Sequence, residues 1–273
     1  MLTKFDVTTA QGNLMTFDLT DTSAGFIVEN VDGLGPVKAT LVSSSFAGTD
    51  GEQYLSSRRE ARNIKITLGL DPDPIHDSVR SLRKQLYSYF MPKSEVTLGF
   101  YDDDGLHVTI LGVVESCDPT IFDQEPAMDI SLMCYDPDLI DPVGVHLTGN
   151  STSSTAQTLV QYDGEVSTGI VFTLNVNRSL TDFTIYHTPP SGELYQLDFS
   201  GPLVAGDVLT ISTVKGDKGV TLIHSGTSSS VLYYVSPQSK WIEFEPGDNE
   251  IRVYAAGAGV PYTIDYITRY GGL

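Results

Sequence analysis

The chain has 273 residues, with 16 Lys+Arg against 35 Asp+Glu and a formal net charge of −19 at pH 7. That length suits two domains of about 130 residues, each able to bury about two-thirds of its unfolded surface. An acidic surface repels phosphate backbones, which argues against nucleic-acid binding. No apolar run reaches the roughly 18–20 residues that span a bilayer, and the N-terminus lacks a signal peptide's apolar segment, so the expectation is folding in a cytoplasm without membrane insertion.

The first distinctive stretch is residues 51–64, where Arg58, Arg59 and Arg62 fall within five positions of an otherwise acidic chain. Two readings compete. The cluster is either a solvated loop and strand edge, or a docking element whose planar guanidinium forks match carboxylates, including those of other copies of the chain.

Strand signals follow. Ile64, Ile66, Leu68 and Leu70 alternate with polar or small residues, as do Val96, Leu98 and Phe100, then Leu106, Val108 and Ile110, and Met128, Ile130, Leu132 and Cys134. Period two predicts half-buried antiparallel strands. One helix interrupts them, over about His76 to Phe90, with Val79, Leu82, Leu86 and Tyr89 at helical spacing, Pro74 before it and Pro92 after it. Its opposite face carries Arg80, Arg83 and Lys84. The run Asp102–Gly105 predicts a hairpin turn, and the phase slip at Leu111–Gly112 predicts a β-bulge.

Cys117 and Cys134 are the only cysteines. A turn near residues 119–125 places Cys117 opposite about residue 127, so a disulfide is not expected and both read as small hydrophobes. Residues 136–157 lose periodicity and collect Pro, Gly and hydroxyl residues, which sets a boundary between domains at 1–142 and 143–273. Beyond it, about nine short strands are expected, among them Ile170–Val176, Phe183–Ile185, Tyr195–Phe199, Val208–Ser212, Val220–His224 and a terminal strand from Tyr262 to Tyr270. Glu245–Asn249 reads as a Pro-Gly turn closing a hairpin between the Trp241 and Ile251 strands. The fold class is therefore mainly β: a barrel-like N-terminal domain with one helix, then an antiparallel β-sandwich.

Chemistry is sparse. The five histidines are dispersed without metal-ligand spacing, and no nucleophile elbow or phosphate-binding loop occurs, so no catalytic residue, metal or cofactor is assigned. The Asp102–Asp104 run lacks the alternating ligands and distal Glu of a calcium loop and reads as a turn. If Ile242 and Phe244 face the core, Trp241 shares the outer face with Glu243 and Glu245, the composition of a sugar platform. Trp241 and Glu243 are thus candidate glycan contacts, and a glycan-binding adhesin is the alternative reading.

The stretch from Asp32 to Pro36, the arginine segment and the Arg62–Ile66 strand start resemble the N-terminal domain of siphophage distal tail proteins. Pro246–Ile251 with the terminal strand and Gly-Gly-Leu tail is similar to that family's galectin-like C-terminal domain. The resemblance implies a non-enzymatic belt domain forming a homohexameric ring at the distal end of a virion tail. The tail tube protein would dock on one face and the tail-associated hub protein on the other, with receptor-binding proteins or side fibres held by the outer domains. Arg58, Arg59 and Arg62 would then serve the ring contact. Galectins join His, Asn and Arg on one strand to Trp and Glu on another; here Asn175, Asn177 and Arg178 supply only fragments of that pattern.

Overall fold

The computed structural model describes residues 1–48, 50–121 and 125–273. It divides into two compact units, Met1–Pro142 with Gly271–Leu273, and Val143–Tyr270. Among the described residues no helix is long and apolar enough to cross a membrane.

The first unit contains β1 (Leu2–Thr9), β2 (Leu14–Asp18), β3 (Phe26–Asp32), β4 (Ala39–Ser44), β5 (Gln53–Arg59) and β6 (Arg62–Leu70). After these come α1 (Val79–Tyr89), β7 (Glu95–Asp102), β8 (His107–Pro119), β9 (Ala127–Cys134) and β10 (Leu139–Ile140). Its main sheet runs in the order β2-β1-β7-β8-β9-β6-β3, all antiparallel, with β10 added against β8. The sheet curls until its two edge strands meet: Phe17 of β2 and Phe26 of β3 lie edge to face, with centroids 5.7 Å apart. Phe5 stacks on Phe17 at 4.7 Å, and Phe90, just past α1, closes on the same ring. Leu82, Leu86 and Phe90 face inward, so the helix plugs one opening of a barrel-like shell.

Local chemistry sets the helix ends. Ser78 caps α1 by accepting from the Ser81 amide, and the Ser81 hydroxyl accepts from the Ser78 amide in return. The helix therefore starts at Val79, three residues after the expected start, because Asp73 holds Ile75 and His76 in a preceding turn. Arg83, expected on the solvent face, is half-buried and donates to the Thr120 carbonyl at 2.7 Å.

The predicted bulge is displaced. Pairing of β7 with β8 runs unbroken through Leu111 and Gly112, and the register shift falls between Val114 and Ser116 against β9. Gly112 misled the pattern because it occupies an inward position where a Cβ would stand 3.1 Å from the Cys134 sulfur. Leu111 points outward, which adds a false apolar beat. Cys117 pairs with Ile130, three residues beyond its expected partner, and both cysteines are free and buried. The expected turn at 119–125 lies partly outside the described residues.

The second unit holds β11 (Val145–Asn150), β12 (Thr158–Tyr162), β13 (Thr168–Asn175), β14 (Phe183–Thr188), β15 (Tyr195–Phe199) and β16 (Val208–Ser212). It continues with β17 (Gly219–His224), β18 (Thr227–Ser230), a 3-10 turn at Leu232–Tyr234, β19 (Glu243–Phe244), β20 (Gly247–Tyr254), β21 (Pro261–Tyr266) and β22 (Arg269–Tyr270). One sheet runs β11-β21-β13-β16-β17-β18 with β19 on β13, and the other runs β12-β20-β14-β15. Their inner faces form one core, in which Phe172 of the first sheet stacks against Phe183 of the second at 6.0 Å. This is an antiparallel sandwich. Two elements, β10 and β11, lie inside the segment read as an aperiodic boundary; β11 alternates only between half-buried and exposed positions, which leaves a faint pattern. The expected terminal strand is broken into β21 and β22.

The Glu245–Asn249 turn is a corner, not a hairpin. β19 pairs with β13 in one sheet while β20 pairs with β12 and β14 in the other, so the chain changes sheets here. Gly247 has φ 104°, as a turn glycine should. Asn249, fully buried, closes the corner: its Oδ1 accepts from the Glu245 amide at 3.0 Å, and its Nδ2 donates to the carbonyls of Glu245 at 2.7 Å and Gly247 at 2.9 Å. His187, also fully buried, contacts the same Oδ1 through Nε2 at 3.0 Å.

Burial holds the His187 imidazole below its ordinary pKa, against a smaller opposing effect of the Asn249 contact. The unfolded chain therefore takes up this proton at a higher pH than the native one, and stability is full above about pH 6.5 and falls as pH drops toward the depressed native value. Urea titrations followed by emission of Trp241, the single tryptophan, should show a stability loss between pH 7 and 5 that His187→Gln reduces. Parallel pH profiles for the two proteins would remove this assignment.

Candidate functional site

Among the described residues β4 and β5 pair only with each other, from Ala39 with Arg59 to Ser44 with Gln53, and every residue of β5 is exposed. Leu41 is 68% exposed, Tyr54 61% and Leu55 56%, and Val42 and Phe46 join them. Polar stitches hold the pair: Ser43 donates to Glu52 and Thr40 donates to Glu60, while within β5 Tyr54 donates to Ser57 at 2.8 Å. A two-stranded ribbon with no packed face is marginal in water, and its unpaired outer edges and apolar side chains are what a second surface would cover. The sequence reading missed this hairpin. Exposure on both faces removes the alternation that marks a strand.

The three arginines separate into three environments. Arg58 is exposed on β5 opposite Thr40. Arg59 turns back into its own unit and meets Asp138, itself 5% exposed, at 2.5 Å. Arg62 is 1% exposed. Its Nε donates to the Pro137 carbonyl at 2.8 Å, Nη1 to the carbonyls of Gly33 at 2.6 Å and Gly35 at 2.8 Å, and Nη2 to that of Gly271 at 2.7 Å. Burial pushes the guanidinium pKa down, while nearby Cys134 and Asp138 oppose that. The expectation that Arg62 belongs to a docking surface is corrected: its donors are consumed inside the unit. Gly33 is shaped for the contact, since at φ 88° a Cβ would stand 2.1 Å from the Asn63 carbonyl. Fixed forks of this kind gather several carbonyls where a lysine would reach fewer.

In the second unit the expected Trp241 strand is reduced to β19, which begins at Glu243, while the expected alternation of Ile242 and Phe244 inward with Glu243 outward holds. Ile242 and Phe244 are buried, Trp241 is half-buried against the core, and Glu243 is exposed. Trp241 and Glu243 line an open cavity of about 460 Å³ together with Tyr195, Lys218, Lys240 and Glu245. Lys218 pairs with Glu243 at 3.0 Å, and Lys240 pairs with Glu193 at 2.9 Å while lying 4.7 Å from the Tyr195 ring centre. Those contacts raise the Lys240 pKa, led by its hydrogen bond to Glu193. Asn177 and Arg178 are occupied elsewhere, donating to the carbonyls of Gly259, Ala256 and Ala258.

Asp102, Asp103 and Asp104 bring carboxylate oxygens within 4.8 Å of one another. They build the β7–β8 turn: Asp104 donates its amide to the Asp102 carboxylate at 2.7 Å, and the N-terminal ammonium of Met1 pairs with Asp103.

Two family models match the chain. Residues 17–127 match a phage tail protein RIFT-related domain, and residues 163–270 match a siphovirus-type tail component, C-terminal domain. Among solved structures, the SPP1 Dit protein (gp 19.1), described as a paradigm of the hub adsorption apparatus in phages infecting Gram-positive bacteria, is 18% identical. That match covers 97% of this chain and 98% of that one with a TM-score of 0.68. The phage P2 baseplate in its activated conformation with Ca is more distant, at 12% identity, 97% and 98% coverage and a TM-score of 0.46. No curated protein matches by sequence.

Arg62→Met should lower the stability of the first unit by about 3 kcal/mol, because the buried Pro137 carbonyl loses its donor, three part-buried hydrogen bonds are lost and buried Asp138 loses a neighbouring cation. Arg58→Glu should change it by less than about 0.5 kcal/mol. Denaturant titrations of the two variants check both, and equal losses would contradict the separation.

Proposed function

Because this chain belongs to the siphophage distal tail protein family, we propose that it is a non-enzymatic ring component of the tail tip. Six copies close around the tail channel, with the first unit as the belt. The tail tube protein docks on one face of the ring and the hub protein on the other. The second unit, read as a galectin-like sandwich, carries receptor-binding proteins or side fibres at the ring's outside.

The observation that carries this reading is the unpacked β4–β5 hairpin. Its apolar residues and free edges fit a neighbouring copy, and a contact between two unlike patches closes into a ring when the rotation per subunit closes. Arg58 is a cation on a molecule of net charge −19, so the next copy offers it complementary surface. An acidic lumen would also repel passing DNA. Arg59 and Arg62 support the belt from within its own unit, and the ring contact is assigned to Arg58 with Leu41, Tyr54 and Leu55.

Multi-angle light scattering and negative-stain microscopy of the purified chain at micromolar concentration should show rings. Leu41→Asp with Tyr54→Asp should yield monomers of unchanged melting temperature, and Arg58→Glu should weaken assembly most at low salt. A wild-type monomer, or rings that survive the double substitution, would overturn the assignment.

A further inference from the structure

We propose that the Trp241 groove of the second unit is a binding site for a neutral saccharide. This function is separate from ring assembly.

The groove has the three features that sugar recognition requires. It has room: about 460 Å³ falls within the range of ligand pockets and suits a short oligosaccharide. It has an aromatic wall in Trp241 and Tyr195, against which the apolar faces of sugar rings pack. It also has a rim of donors and acceptors, the ammonium groups of Lys218 and Lys240 and the carboxylates of Glu243 and Glu245.

These groups are held in place before any ligand arrives. Trp241 packs against the sandwich core, which fixes the indole. Buried Thr213 donates its hydroxyl to the Ile242 carbonyl at 2.6 Å, anchoring the backbone next to that tryptophan. The backbone of Glu245 is tied through both its amide and its carbonyl to buried Asn249, which is held in turn by buried His187. Tyr195 is the cross-strand partner of His187, with ring centres 6.0 Å apart. One buried polar chain thus supports two of the groove's residues, and such support reduces the ordering cost of binding.

Charge chooses the class of sugar. Lys218 is matched by Glu243 and Lys240 by Glu193, so both cations are already neutralised. Glu245 is left as a carboxylate without a cationic partner among the described residues. A ligand that brings hydroxyl or amide donors satisfies it, whereas a phosphate or uronate brings repulsion. Neutral hexoses and N-acetylhexosamines fit, and anionic polymers do not.

Because Trp241 is the only tryptophan, its emission reports on the groove directly. The full chain is titrated with triacetylchitotriose, maltotriose and, as the anionic comparison, poly(glycerol phosphate). The expected result is a saturable emission change with at least one neutral oligosaccharide, with Kd on the order of 1 mM. Glu245→Gln should weaken it about tenfold without altering the melting temperature, and Trp241→Phe should abolish the calorimetric heat. The proposal is overturned by no saturable response to either neutral sugar up to about 10 mM, by tighter binding of the phosphate polymer, or by unchanged affinity in Glu245→Gln. The titration reads the groove in rings or monomers alike, so its failure and a failure of ring assembly are distinguishable.

Discussion

The buried guanidinium of Arg62 is the constraint on which the first unit is organised. Four chain segments distant in sequence, around Gly33 and Gly35, at β6, at Pro137 and at Gly271, converge on one planar cation. The three segments other than β6 bring four carbonyls to it, and that of buried Pro137 would otherwise be stripped of water without a donor, which is costly. The cation in turn needs compensation, which Asp138 supplies from a buried position while also holding Arg59. Placing an arginine at the first residue of β6 therefore fixes where the loop before the β4–β5 hairpin runs, and Arg59 secures the hairpin's last strand. The exposed hairpin can remain unpacked because its base is held this firmly.

The second unit solves a comparable problem without charge. Where the chain leaves one sheet for the other at Glu245–Gly247, the exposed amide and carbonyls find Asn249, and the neutral imidazole of His187 supports the asparagine. The environment decides the difference. Three backbone groups on one tight corner suit a short amide with both donor and acceptor, whereas four carbonyls from three separate segments require a longer side chain made only of donors. Both nodes are polar devices inside apolar cores, and each places a rigid backbone beneath a surface with exposed functional groups.

Much of the fold was legible in the sequence because most strands are half-buried. Ile64 to Leu70, Val96 to Phe100, Met128 to Cys134 and Ile170 to Leu174 carry strict alternation, and all are strands with the apolar set inward. The helix was readable from Leu82 and Leu86 at helical spacing, and its start was misjudged only because Asp73 builds a turn that mimics a first helical turn. What the pattern missed has a common cause. β4 and β5 expose both faces and β11 is nowhere fully buried, so none of them has a buried side to give period two. The corner at Glu245 was read as a hairpin because Pro and Gly specify a reversal of direction but say nothing about which sheet receives the next strand.

The arginine cluster illustrates a limit of reading charge from sequence. Arg58, Arg59 and Arg62 look equivalent as letters, yet they are separated by the period of a strand and by the break at Glu60–Ala61. Successive strand residues point to opposite faces: Arg58 faces outward on the ribbon, and Arg59 reaches Asp138. Three residues after Arg59 a new strand begins in a different sheet, and Arg62 enters the interior where Cys134 lies opposite. The signal that could have separated them is the flanking chemistry. Exposed Ser56 and Ser57 precede the first pair, whereas the apolar alternation of Ile64 and Ile66 begins in phase with Arg62 and places it on the inward face. An arginine in phase with a buried stripe is a buried arginine, and a buried arginine requires carbonyls; the Gly-Leu-Gly-Pro loop upstream is the segment that can bring them close. On that argument the basic cluster is a structural clamp through Arg59 and Arg62, and Arg58 is its exposed outer end.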